Sequence, residues 1–247
     1  MKLIIFTYLL LVSAVKAETS LFVGFGSTDY TSLYESLAKI PLEHAQEEKW
    51  DYYFTYARQD HWRAFSLPPI DHNRVQLNPK SSEIVAKMID QASRLSSEED
   101  QFLLFLHGHG LNPSEAKGLD LEKPNENSEK DELQNYQIAG AFAEMPSKVK
   151  KKIISTYCYD GTIHEIPFER DDTCALSSTL PNTPNVFSTA IGFRFSEGAW
   201  REIALKESDK KHDFNQDGKT SLWEAFASGL SLDGLNLNDG RTSSLAY

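Results

Sequence analysis

The stretch at residues 101–110, QFLLFLHGHG, constrains the fold of this chain more than any other. Its apolar residues, 102–106, are too few for a free-standing helix. They suit a strand covered on both faces, as the strands of parallel sheets are. Functional sites in open α/β sheets gather beyond the carboxyl ends of the strands. His107 and His109 are therefore candidates for a catalytic base.

A second apolar run, at 153–157, ends in Cys158. A helix predicted at 134–145 separates the two runs, and the order strand, helix, strand predicts two parallel and neighbouring strands. The carboxyl ends of neighbouring parallel strands lie on the same edge of a sheet. We therefore expect His109 and Cys158 on one edge.

The remaining pattern predicts an α/β domain with a mostly parallel sheet flanked by helices. Apolar runs predict further strands at 21–25, 51–55, 74–77 and 185–191. Helical spacing of apolar residues predicts helices at 31–40, 81–95 and 200–206. The polar segments at 111–133 and 161–184 have no periodicity and are predicted to be loops.

The amino terminus of the 247-residue chain is typical of a secretory signal. Residues 1–17 combine a basic start, an apolar core and a small-residue cleavage site, and the core is shorter than the roughly 20 residues of a spanning helix. The expected location is secreted or periplasmic, with no membrane association after signal removal. A main domain is expected at 18–205, followed by a smaller segment at 206–247.

The formal net charge of −11 argues against a nucleic-acid partner. One basic cluster interrupts this acidic balance, and it precedes the second apolar run. It is interpreted as a solvated connection between helix and strand, and consists of Lys148, Lys150, Lys151 and Lys152.

Cys158 and His109 are the residue types of a thiol nucleophile and its base, because an imidazole can generate and steady a thiolate. Backbone N–H groups near glycines such as Gly110 can hold an oxyanion. An exported chain with two cysteines also allows a disulfide between Cys158 and Cys174. A third reading is a metal-dependent hydrolase that uses His107 and His109. His164, which follows Cys158 closely, is expected at the surface.

The blocks FLHGHG and GAFAEMPSKVKKKIISTYCYDG resemble the caspase-like cysteine peptidases, which include legumain, metacaspases and caspases. This resemblance implies a three-layer caspase-like fold and a cysteine endopeptidase that forms an acyl-enzyme with a protein or peptide substrate. By position, Cys158 resembles the nucleophile and His109 the base, and the amides of Gly110 and Cys158 would hold the oxyanion.

Two positions depart from the family pattern. Asp160 stands where a serine is usual, and its charge would raise the pKa of a neighbouring thiol. Thr156 stands where metacaspases carry an aspartate of the pocket for basic side chains. Asp160, Asp171 and Asp172 are the acidic candidates for such a pocket. The alternative function is a non-catalytic, calcium-binding relative with a Cys158–Cys174 disulfide.

Residues 213–224, DFNQDGKTSLWE, fit the calcium loop of an EF-hand. Oxygen ligands recur at the required alternation, and Gly218 provides the sharp turn. The predicted ligands are Asp213, Asn215, Asp217, the Lys219 carbonyl, Ser221 and Glu224. The flanking segments can both be helical. A helix-loop-helix motif with a structural calcium ion is therefore expected near the carboxyl terminus.

Overall fold

A six-stranded parallel sheet forms the centre of the protein. The computed structural model describes residues 17–27, 31–57, 71–114, 116–121, 131–157, 159–166, 172–177 and 215–216. The strands of the sheet are β1 (Thr19–Phe25), β2 (Asp51–Tyr56), β3 (Val75–Leu77), β4 (Gln101–Gly108), β7 (Lys150–Tyr157) and β8 (Thr173–Ser177). Every neighbouring pair in the sheet is parallel, and the spatial order is β3-β2-β1-β4-β7-β8. The predicted α/β class and the parallel pairing of the two apolar strands are confirmed.

In the described part of the chain, three helices connect and flank these strands: α1 (Thr31–Glu47), α2 (Ser81–Ala92) and α3 (Asn135–Glu144). Ile84 and Met88 of α2 and Phe142 of α3 belong to one buried cluster with Phe102 and Leu104 of β4. Both faces of the central strands are covered, since residues 102–106 are all buried. The continuous apolar run that predicted β4 is thereby explained.

Asp100 fixes the entry into β4. One carboxylate oxygen accepts a hydrogen bond from the Glu18 N–H at 2.9 Å, and the other accepts from the Ser96 and Ser97 N–H groups at 2.8 Å each. The Glu18 bond is the main cause of an Asp100 pKa far below its ordinary value. The amino ends of β1 and β4 are thereby tied together.

Two predicted loops contain regular structure. The segment at 111–133 carries β5 (Gly118–Asp120), which pairs antiparallel with β6 (Glu132–Gln134), and the segment after Cys158 carries a 3-10 helix, Asp160–Glu165, and β8. The polar sequence of the β5–β6 hairpin gave no period-2 signal, because both strands are only three residues long.

The predicted solvated connection is wrong in part, because Lys150, Lys151 and Lys152 are the first residues of β7. Lys152 is only partly exposed, and its Nζ donates to the Gln101 Oε1 at 2.9 Å. The Lys151 side chain is fully buried and its Nζ donates to the Asp172 carboxylate and to the carbonyls of Pro146 and Val149. A buried ammonium needs such partners, because desolvation of an unpaired charge is costly. Lys148 and Lys150 are exposed, as predicted.

Several predicted features lie outside the described residues: the signal core, the strand at 185–191, the helix at 200–206 and all but two residues of the calcium loop. Among the described helices, none is long and apolar enough to cross a membrane.

Candidate active site

The strand order reverses between β1 and β4. The chain runs from β1 outward to β2 and β3, then returns to β4 on the other side of β1 and continues to β7 and β8. In open parallel sheets such a reversal opens a crevice beyond the carboxyl ends of the two strands, where ligands bind. Gly26 and Ser27 follow β1 at this point, and His109 and Gly110 follow β4.

Three backbone hydrogen bonds form a closed ring at this crevice. The His109 N–H donates to the Ser27 carbonyl at 2.7 Å, the Ser27 N–H donates to the Asp120 carbonyl at 2.8 Å, and the Asp120 N–H donates to the His109 carbonyl at 2.8 Å. The ring joins the ends of β1 and β4 to the β5–β6 hairpin. Because it uses only backbone atoms, the His109 imidazole takes no part in holding it.

Two glycines allow this close approach. A side chain at Gly108 would come within 2.8 Å of the Gly26 Cα, and one at Gly26 would come within 2.6 Å of the Asp120 carbonyl oxygen. Gly108 also has a φ of 150°, which side-chain-bearing residues rarely adopt. The first glycine of HGHG therefore has a steric role in placing His109.

Gly110 pairs with Leu119 of the hairpin as an isolated antiparallel bridge. The bonds on either side of this pair are Asp120 N–H to His109 O and Leu111 N–H to Gly118 O. Gly110 and Leu119 thus form a non-hydrogen-bonded pair, in which both N–H groups point away from the opposite strand. The Gly110 N–H is directed away from the hairpin, as an oxyanion donor must be.

His107 has a different environment from His109. It is 8% exposed, its Nδ1 lies 2.8 Å from the Thr156 Oγ1 on β7, and its ring meets the Phe25 ring edge-on at 6.3 Å. Burial is the main cause that lowers the pKa of His107 to about 4, and nearby His109 lowers it further. His107 is therefore a neutral, packed residue near pH 7, whereas His109 is only partly buried.

The register of β4 and β7 brings the two candidate motifs alongside each other. His107 pairs with Thr156 and Gly108 pairs with Tyr157, so the residues immediately before His109 and Cys158 are cross-strand partners. Cys158 itself lies outside the described residues.

The turn after Cys158 has an unusual backbone. Tyr159 is left-handed, with φ 59° and ψ 19°, and the 3-10 helix Asp160–Glu165 begins after it. Gly161 is buried in that helix. The expectation that His164 lies at the surface is wrong. His164 is partly buried, its Nε2 lies 2.9 Å from the Ser177 Oγ, and burial lowers its pKa.

The two described pocket candidates, Asp160 and Asp172, lie in different parts of the fold. Asp172 precedes β8 at the amino-terminal end of the sheet, where its backbone carbonyl accepts from the Lys151 N–H at 2.8 Å and its carboxylate pairs with the Lys151 ammonium. It is therefore at the edge opposite His109. Asp160 begins the 3-10 helix next to Cys158, and Asp171 lies outside the described residues.

Only residues 215–216 of the predicted calcium loop belong to the described part of the chain. Of the predicted calcium ligands, Asn215 is described and exposed, and the others lie outside the described residues. Within the described ranges no three His, Cys, Asp or Glu side chains are grouped to hold a metal ion.

Fold and site together define an α/β protein with a topological switch point between β1 and β4. His109 follows β4, and the turn after Cys158 follows the neighbouring strand β7. Neither the protein-family models nor the curated proteins include a match. A structural genomics protein from Geobacter sulfurreducens is similar over 80% of this chain and 87% of its own, with 13% identity and a TM-score of 0.42.

Homoserine dehydrogenase from S. aureus is similar over 90% of this chain, with 10% identity and a TM-score of 0.33, and this chain covers 44% of its length. Neither protein is named as a cysteine peptidase. Functional conclusions for this chain therefore depend on its own residues.

Proposed function

We propose that this protein is an exported, caspase-like cysteine endopeptidase in which Cys158 is the nucleophile and His109 the base. The observation that carries the proposal is the β4–β7 register, in which Gly108 pairs with Tyr157. Neighbouring parallel strands are about 4.8 Å apart. His109 and Cys158 each directly follow one member of this pair, so both are attached to adjacent backbone positions at the carboxyl ends of β4 and β7.

The proposed reaction has two steps. The Cys158 thiolate, formed when His109 accepts its proton, attacks the peptide carbonyl and forms a tetrahedral intermediate. The Gly110 N–H, directed away from the hairpin, is suited to stabilise the oxyanion. His109 then protonates the amine as the C–N bond breaks, which leaves an acyl-enzyme. Water activated by His109 cleaves the thioester and restores the thiol.

The β7–β8 register argues against the alternative with a Cys158–Cys174 disulfide. Cys174 is an exposed free thiol that pairs with Lys152, near the amino end of β7. At roughly 3.3 Å per residue, Lys152 and Tyr157 are about 16 Å apart along the strand. One further peptide unit spans about 3.8 Å, so the two cysteine Cα atoms remain well beyond the roughly 7 Å limit for a disulfide.

Thiol labelling tests the proposed nucleophile. A peptide carrying a thiol-reactive group is expected to label the native protein at Cys158 and to inhibit peptide hydrolysis. Cys158→Ala should abolish both the label and the activity. Cys174→Ala is the matched control, since it removes the other cysteine of the chain, and should leave both intact. Labelling that persists in Cys158→Ala would refute the assignment.

We further propose that residues 213–224 bind calcium in a structural role. Glu224→Gln is expected to weaken calcium binding and to lower the melting temperature in calcium but not in chelator, because it removes the bidentate ligand of the loop. Differential scanning calorimetry in both media measures the effect. Glu207→Gln, outside the loop, is the control for the loss of one negative charge. A parent protein that melts at the same temperature in both media would contradict a bound ion.

A further inference from the structure

A short hydrogen-bond chain supports the turn that follows Cys158. Asn135, the first residue of α3, is 5% exposed, and its Nδ2 donates to the Thr162 Oγ1 at 3.1 Å. Thr162 is 2% exposed, and its Oγ1 donates to the Tyr159 carbonyl at 3.1 Å. The same carbonyl accepts the Thr162 N–H at 3.1 Å. Asn135 therefore reaches Tyr159 through one buried hydroxyl.

The supported residue is held in an unfavourable conformation. Tyr159 is one of the few described residues other than glycine with a positive φ, and it directly follows the candidate nucleophile. A left-handed side-chain-bearing residue costs free energy and persists only where its surroundings hold it. Both hydrogen bonds to its carbonyl come from Thr162, so Thr162 is the residue that holds it.

The same segment of α3 is joined to the hairpin that carries Asp120. The Asn135 N–H donates to the Lys117 carbonyl at 2.8 Å, next to the first residue of β5. The last residue of β5, Asp120, closes the backbone ring with His109 and Ser27. Through Asn135, the hairpin that fixes the His109 backbone is thus connected to the turn beside Cys158.

We propose that Asn135 and Thr162 are positioning residues for the proposed peptidase and act through the left-handed Tyr159, the residue that directly follows Cys158 in the sequence. This inference rests on the proposed cysteine peptidase function. Both side chains are buried, so they act on the reaction through the backbone of the turn and not by contact with the substrate. Misplacement of a reacting group by about 1 Å can cost about 100-fold in rate, so loss of this support should appear in the chemical step.

The test uses the full chain with Cys174→Ala, so that Cys158 is the only thiol. The maximal rate of labelling by the thiol-reactive peptide and its half-saturating concentration are measured separately. Thr162→Val is expected to lower the maximal rate by about 10- to 100-fold with little change in the half-saturating concentration. Thr162→Ser restores the hydroxyl and should label close to the parent rate. Thr55→Val removes a buried hydroxyl in β2 and should also label at the parent rate.

Tyr159→Gly provides a second test of the proposal that Thr162 supports the left-handed backbone of Tyr159. Glycine adopts the left-handed conformation without support, so Thr162→Val should lose less in the Tyr159→Gly background. If Thr162→Val does not fold, Asn135→Ala replaces it, with a loss in the same direction expected.

The inference is overturned if the folded variant labels as fast as Thr162→Ser, or if Thr55→Val loses as much. A parent protein that the peptide does not label refutes the proposed function, and this inference with it. A labelled parent with unaffected variants refutes the inference alone.

Discussion

Replacing His109 with alanine is expected to lower the rate of peptide hydrolysis by about 100- to 10,000-fold, the usual effect of removing a general base. The ring that ties His109 to Ser27 and Asp120 uses the His109 backbone N–H and carbonyl, which alanine retains, so the contribution of this ring to folding stability should be kept. Fluorogenic peptide hydrolysis and thermal melting measure the two quantities.

His107→Ala is the matched control, two residues away on the same segment. It removes a buried ring that contacts Phe25 and Thr156. A cavity and the loss of the hydrogen bond to Thr156 are expected to lower stability. Below its melting temperature this variant should retain most of the activity. If His107→Ala abolished hydrolysis while His109→Ala left it intact, the base would have to be reassigned to His107.

Lowering the pH from 6.5 towards 4 is expected to reduce the free energy of unfolding by up to about 3 kcal/mol through His107. Its imidazole is buried and neutral, and its pKa falls from 6.5 to about 4 on folding. Between these values the unfolded chain binds more protons than the folded protein. The stabilisation that comes from the neutral, buried His107 is therefore fully present above pH 6.5 and is lost as the pH falls towards 4.

Urea unfolding at several pH values measures this slope. His107→Phe, which keeps a ring against Phe25, should be less stable at neutral pH but should have a flatter slope between pH 6.5 and 4. His164 is expected to act in the same direction as the pH falls below 6.5, because burial lowers its pKa too. A His164→Gln control separates the two. An unchanged slope in His107→Phe would show that another group is responsible.

The contribution of Asp100 to the free energy of unfolding is also lost as the pH falls, but in a lower pH range than that of His107. The pKa of Asp100 is depressed below the ordinary 3.8, mainly by the Glu18 N–H. It therefore stabilises the fold above that pH and loses this effect on further acidification. The His107 and Asp100 contributions are separable because their windows hardly overlap.

The strands that carry the site were predictable because their signals are local. An uninterrupted apolar run reflects burial on both faces of a central strand, and β4 has such a run at residues 102–106. The signal in β7 is weaker, because only Ile153 and Ile154 are consecutive apolar residues before Ser155. Their parallel pairing followed from chain order and a connecting helix. The helix at 31–40 was predicted too short, because α1 continues through Pro41 to Glu47.

The rest of the candidate site was missed because its signals are long-range. Ser27 and Asp120 contribute backbone atoms to the ring with His109, and backbone hydrogen bonds leave no pattern in residue type. Asn135 and Thr162 are separated in sequence and meet only because α3 begins beside the turn after β7. A polar asparagine at the start of a predicted helix was the one local hint, and it reads equally well as an ordinary cap.

What the sequence by itself determined was the α/β class, the neighbouring parallel strands and the order of the His-Gly and Cys motifs along them. Apolar periodicity and short-range connections carry that information. Only the tertiary structure decided that His107 is packed, that Lys151 is buried against Asp172, and that Cys174 pairs with Lys152 far from the end of β7. Those outcomes depend on strand register and on packing between distant segments, which fix the surroundings of a side chain without changing its local pattern.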